Sequence, residues 1–244
     1  MPARAQPYFT PASFRFLRSL KRNNRREWFH AHKQEYEEHV KAPALRLITE
    51  IGAPLRAISP ELIASPRAVG GSLFRIHRDT RFSSDKSPYK THVGISFFHA
   101  ATKAVARGSL GTAALGRLDA PVLYLHVEPG ACFTGGGIWH PQPETLKRLR
   151  DFLIDNPRSW KKATRGSAFG RVFELSGETL SRPPRGYDPA HELIGDLKRK
   201  DFVASSALAD ADLLRADLVP LLLHRYRLMR PMLDWLCASI ELEF

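Results

Sequence analysis

Between Arg75 and His92 the chain concentrates groups that hold negative charge. The passage reads RIHRDTRFSSDKSPYKTH and carries the cations Arg75, Arg78, Arg81, Lys86 and Lys90 among histidines, serines and threonines. A guanidinium offers a planar fork of donors matched to phosphate or carboxylate oxygens, and an ammonium offers a point charge. Ser83, Ser84 and Ser87 add hydroxyl donors beside the stiff turn at Pro88. Asp79 and Asp85 orient the arginines or accept from a ligand in this reading. In the plainer one they pair with Arg78, Arg81 or Lys86 and only hold the loop. Exposed pairs of that kind contribute at most ~1 kcal/mol each.

Acid–base chemistry near neutral pH needs an imidazole with a carboxylate to orient it. His77 and His126 are the candidate histidines, and Glu128 and Asp79 the candidate carboxylates. The alternative is that both histidines are sheet residues satisfied by backbone carbonyls or nearby carboxylates. His77, His92, His126, Glu128 and His140 are suitable metal-ligand types, but none of them stands in HExxH or HxH spacing, so no metal and no cofactor is assigned. Gly135–Gly137 lacks the Lys-Ser/Thr of a phosphate loop, and a turn requiring positive φ is the expected explanation. There is no GxSxG to mark a serine nucleophile.

These residues need elements to position them. Ser72 to Arg78 alternates as a half-buried strand does, with Phe74 and Ile76 on one face and Arg75 and His77 on the other. Val93, Ile95 and Phe97 repeat that period. Val122 to Val127 predicts another strand, with Tyr124, His126 and Glu128 on one face and Leu125 and Val127 on the other. Neighbouring strands would then bring the pair Arg75/His77 towards the pair His126/Glu128 in one cleft. Val172–Leu175 and Phe202–Ala204 read as further strands.

Helices frame this region. Thr10-Pro11 is a start signal for a helix to about Lys21, and a second should carry Trp28, Phe29, His32, Tyr36 and Val40. Pro43 opens a third. Helices are expected from about Pro143 to Ile154, around Trp160, and from Pro189 to about Lys198. Leu221 to Leu242 closes the chain, with Pro220 and Pro231 marking starts or kinks. Helices at both ends around short strands predict an α+β fold, a single domain over 1–244 with a mixed or antiparallel sheet. Residues 100–120, rich in Ala, Gly and Arg, are expected to be a flexible connection.

The net charge of +12 favours anionic partners over cationic ones. Residues 1–100 carry 17 Lys/Arg against 8 Asp/Glu and residues 101–200 carry 16 against 10, whereas 201–244 carry 4 against 7. The positive field therefore belongs to the part of the chain that holds the candidate site. An anionic small molecule is the expected ligand. Nucleic acid is the alternative, because Phe82, Tyr89, Trp28, Phe29 and Trp160 lie among cations. A non-catalytic scaffold is the third reading, with Leu221, Leu222, Met229, Met232, Leu233, Leu236 and Ile240 forming either a homodimer surface or the domain's own core.

Cys132 and Cys237 stand alone, which fits a reducing compartment. No apolar run approaches the ~20 residues that span a bilayer, and the start MPARAQPYFTPASF has no apolar signal core. A cytoplasmic setting is expected.

The central passage at 75–92, YLHVEPG at 124–130, GGGIWHP at 135–141 and LKRKDF at 197–202 occur in one order along the chain. Together they resemble the family catalogued as domain of unknown function 2461. NNRREWFHAHKQEY at 23–36 is similar to that family's N-terminal motif. The resemblance extends over about 9–243 and implies one cytosolic α+β domain without implying a reaction. The connection at 100–120 is longer than the family's usual loop.

Overall fold

The computed structural model describes residues 6–81, 84–102 and 119–244. It is an α+β fold built on one six-stranded antiparallel sheet. The strands are β1 (Leu62–Ile63), β2 (Val93–His99), β3 (Val122–Val127), β4 (Phe133–Ile138), β5 (Glu174–Ser176) and β6 (Phe202–Ala207). Their order across the sheet is β1-β2-β3-β4-β6-β5.

The N-terminal helices form the rim beside the candidate site. Helix α1 (Pro11–Arg22) starts where expected, and Ser13 Oγ accepts the Thr10 N–H at 3.0 Å. Helix α2 (Arg26–Ala31) and α3 (Lys33–Tyr36) follow. A π turn (Glu37–Lys41) joins α3 to α4 (Ala42–Arg56). Pro43 has no N–H and its ring crowds the carbonyl four residues back, so the wider π spacing lets the helix run on through it. Helix α5 (Pro143–Asp155) and α6 (Pro157–Arg165) match their expected places, with Trp160 fully buried. The short helices α7 (Ser167–Gly170), α8 (Ile194–Leu197) and α9 (Asp210–Leu213) lead to the long α10 (Leu218–Ser239).

The two faces of the sheet differ sharply. Register places Ile95 opposite Leu125, Leu125 opposite Thr134 and Thr134 opposite Ser206, so these residues share a face. That face is buried. Ile95, Leu123, Leu125, Thr134 and Phe202 have no solvent exposure. Helix α10 lies against it. Thr134 Oγ1 and Tyr226 Oη share a hydrogen bond of 3.1 Å, and Phe97 meets the Tyr226 ring edge-on. Of the apolar residues named for the C-terminal segment, Leu221 and Ile240 stay partly exposed. Leu222, Met229, Met232, Leu233 and Leu236 are fully buried in the domain's own core. Pro231 sits inside α10 without ending it.

The opposite face carries Tyr124, His126, Phe133, Val203 and Ser205, all partly exposed. The sequence candidates on β3 therefore stand on the open side of a sheet whose stability comes from the other side.

Three expectations need correction. Ser72–Arg78 is not a strand: it makes only isolated bridges, Leu73 to Ile95 and His77 to Tyr89. Phe74 is 44% exposed while Ile76 is buried, so they do not share an apolar face. The helix expected from Pro189 is confined to α8. Gly135–Gly137 is not a turn but part of strand β4. A Cβ on Gly136 would lie 2.7 Å from Met229 Sδ, and one on Gly135 would lie 2.4 Å from the Ala204 carbonyl oxygen. The glycines let α10 and β6 approach β4 closely. Gly137 alone of the three keeps the expected positive φ, at +127°.

Most of the expected connection at 100–120 lies outside the described residues, as do Phe82 and Ser83. No helix among the described residues is long and apolar enough to cross a membrane.

Candidate functional site

Strand pairing assembles the first group of side chains. Val93 is opposite Val127 and Gly94 opposite His126, so one further step places His92 beside Glu128. Alternation then puts His92, His126 and Glu128 on the open face together. His126 Nε2 lies 3.2 Å from Glu128 Oε2, and His126 Nδ1 lies 3.1 Å from Tyr124 Oη. The His126 ring stacks on Phe133 at 4.7 Å and meets His92 at 4.3 Å. Lys21, reaching from α1, donates to Glu128 Oε1 at 3.1 Å.

Gly94 makes room for this arrangement. A Cβ there would stand 2.8 Å from Tyr124 Oη and 3.0 Å from the Phe74 ring. Half-burial of the cluster shifts its ionisations. Burial first, then neighbouring His126, pushes the His92 imidazole down to about 4, so it is neutral at neutral pH. Burial raises Tyr124 to about 12. Burial also works to raise the Glu128 carboxyl, but hydrogen bonds from His126 and Lys21 outweigh it and the net shift is downward. A carboxylate held between an imidazole and an ammonium is suited to orienting His126.

The second group lines a cleft of about 570 Å³ between the α1–α2 junction and the central passage. The junction contributes Asn24, Arg25, Arg26 and His30. The passage contributes His77, Arg78, Thr80, Lys86, Pro88 and Tyr89. Four of these residues are cations and none is a carboxylate. Among the described residues the Arg25 and Arg26 side chains have no hydrogen-bond or ion-pair partner.

One asparagine ties the two walls together. Asn24 Nδ2 donates to the Tyr89 carbonyl at 2.8 Å, and Asn24 Oδ1 accepts the Tyr89 N–H at 3.1 Å. Phe29 stacks on the Tyr89 ring at 4.2 Å. Replacing Asn24 by Ala removes both bonds and takes their partner from the backbone N–H and C=O of the buried Tyr89. The expected cost is ~2 kcal/mol, measured as a lower chemical-denaturation midpoint with an unchanged m-value.

The remaining candidates are divided by this geometry. Arg78 pairs with Asp85, and Arg81 pairs with Asp79 at 2.7 Å. The Arg81 hydrogen bond holds the Asp79 carboxyl down at about 2. Arg81 is 76% exposed and is not part of the cleft wall. Lys86 Nζ donates to the Thr80 carbonyl, and Lys90 Nζ to the Arg75 carbonyl, both at 2.9 Å. Burial, then Arg75 and Arg78, lowers the Lys90 ammonium. His77 meets the Tyr89 ring at 5.3 Å and lines the cleft, which His126 and Glu128 do not. The single cleft expected from the sequence is thus two neighbouring sites. Arg78 and Lys90 are close enough to His92 to act on its ionisation.

Sequence reasoning misses Asn24, Tyr124 and Lys21 as site residues. Asn23-Asn24 reads only as a helix break, and alternation places Tyr124 on the correct face without giving it a role.

A model of the family described as "Conserved hypothetical protein (DUF2461)" matches residues 12–235. The chain belongs to this family. No curated protein and no solved structure matches the DUF2461 chain. The motifs that carry the family resemblance meet in pairs in its fold. Asn24 of the N-terminal motif clamps Tyr89 of the central one, and Glu128 of YLHVEPG stands with His92. Asp201 of LKRKDF accepts the backbone N–H of His140 from GGGIWHP at 2.7 Å. Within this DUF2461 member the first two pairings build the candidate sites, and the third braces the sheet.

Proposed function

We propose that the protein binds a small anion, bearing phosphate or carboxylate groups, in the cleft between the α1–α2 junction and the Arg75–His92 passage. The observation that carries this reading is the wall itself: Arg25, Arg26, Arg78 and Lys86 line it, and of these Arg78 alone is paired with a carboxylate, Asp85, among the described residues. An incoming anion completes the charge balance there, and the fork geometry of the guanidiniums suits its oxygens. Lys90 and Arg75 extend the positive field beyond the wall, and His30 and His77 are the imidazoles that line it. His126 with Glu128 is the better-oriented acid–base pair, on the neighbouring site.

The aromatic residues that favour nucleic acid in the sequence support that alternative less well. Phe29, Tyr89 and Trp160 are buried, and Trp28 stacks on His32 at 4.1 Å. Bases need accessible rings to stack on.

The test is calorimetric titration with inorganic phosphate, pyrophosphate and citrate at fixed ionic strength. Arg26→Ala and Lys86→Ala are each expected to weaken binding by roughly 10- to 100-fold, as the loss of a charge-assisted hydrogen bond does. Arg148→Ala, whose partner is Glu241 at 3.5 Å, should leave affinity unchanged. Wild-type protein that binds none of the three anions would overturn the reading.

A further inference from the structure

We propose that His92, His126 and Glu128 bind a divalent transition-metal ion of the zinc class. The proposal is independent of the anion-binding reading, because it rests on different side chains. One donor atom from each of the three residues lies within 4.8 Å of the other two. The His126 Nε2 to Glu128 Oε2 distance of 3.2 Å already matches the ~3.3 Å between neighbouring ligand atoms of a tetrahedral zinc-class ion. Binding requires the farthest donor, now up to 4.8 Å away, to close towards that spacing.

The donor types suit such an ion. Two imidazoles and one carboxylate form a borderline-soft set, and three protein ligands leave a position for water or another small donor. The surroundings supply what a metal-bound histidine needs. With the metal on Nε2, His126 carries its proton on Nδ1 and donates it to Tyr124 Oη, which is 3.1 Å away. A partner of this kind fixes the tautomer and the ring plane. Stacking on Phe133 at 4.7 Å holds that plane from the other side. Lys21 occupies Oε1 of Glu128, leaving Oε2 towards His126.

Strand geometry explains why three residues so far apart in sequence converge. His126 lies on β3, and Glu128, two residues on, stands just past its end on the same face. His92 immediately precedes β2 and comes level with Glu128, because Val93 is paired with Val127. Sheet pairing therefore does what HExxH spacing does on a helix.

The experiment is a titration of the chelator-treated full chain with cobalt(II), followed by visible absorption, and competition by zinc. Wild-type protein should bind one equivalent and develop the intense d–d bands of four- or five-coordinate cobalt. His92→Ala and Glu128→Gln should each weaken binding at least ~100-fold, and Tyr124→Phe, which touches only the ligand, about 10-fold. His224→Ala and His39→Ala should change nothing, which separates this site from adventitious surface histidines. Far-UV circular dichroism without metal checks that the variants fold. Should a variant fail to fold, X-ray absorption of the zinc-loaded wild type decides: a shell with two imidazoles and a carboxylate oxygen is expected. Binding unaffected by His92→Ala in folded protein, or a zinc shell without imidazoles, overturns the proposal.

Discussion

Replacing Asp201 by Ala is expected to destabilise the protein by ~3–5 kcal/mol. The residue has no solvent exposure, and its carboxylate holds together two separate stretches of chain. Oδ1 accepts the His140 N–H at 2.7 Å and lies 3.0 Å from His140 Nδ1. Oδ2 accepts the Glu178 N–H at 2.8 Å. Each hydrogen bond to a buried charge is worth ~1.5–3 kcal/mol, and its loss strands the donor. His140 is also held at a φ of +49°, a left-handed conformation that a non-glycine residue keeps only when its surroundings impose it. The loss compares with the ~5–15 kcal/mol that separates folded from unfolded chains. Asp201→Asn should cost roughly half as much: one amide oxygen still accepts, but the NH₂ group confronts a backbone donor. Denaturant titrations of the two variants against wild type measure both values. If Asp201→Ala unfolds at the wild-type midpoint, the brace does not exist.

Gly137→Ala should have a still larger effect. A Cβ at this position would stand 2.1 Å from the Phe202 carbonyl oxygen and 2.8 Å from the Val203 Cα, with φ at +127°. The obstruction is backbone of the paired strand β6, so no side-chain rotation relieves it. Strain and lost pairing together should exceed ~4 kcal/mol, leaving little soluble folded protein. Gly130→Ala separates conformation from crowding. Gly130 has a φ of +80° but nothing within 4 Å of its would-be Cβ, so its cost should stay near ~1 kcal/mol. Equal melting temperatures for the two variants would mean that the close approach of β4 and β6 is not tight.

Much of this architecture is legible in the chain. Alternation in Val122–Val127 places Tyr124, His126 and Glu128 on one face because a strand exposes every second residue. Helix starts at Pro11 and Pro143 follow from proline's missing N–H, whereas the start expected at Pro43 is a continuation of the preceding π turn. What escapes depends on contacts between distant segments. His92 is far in sequence from its neighbours on β3, and only the β2–β3 register brings it to Glu128. Asn24 reads locally as a helix breaker, yet its amide faces Tyr89, with which it shares two hydrogen bonds. Gly135–Gly137 suggests a turn by composition, whereas the packing of α10 and β6 demands the missing side chains. The Ser72–Arg78 alternation fails for a related reason: the segment bridges β2 only at Leu73 and then turns to pair His77 with Tyr89.

The unequal faces of the sheet have a practical corollary for mutagenesis. Side chains such as Leu123 and Leu125 are anchored under α10, whereas Tyr124, His126 and Phe133 point the other way and are partly wet. An alanine scan along β3 should therefore alternate in kind as well as size. Odd-numbered positions would report on melting temperature, and even-numbered ones on the cobalt(II) titration rather than on stability.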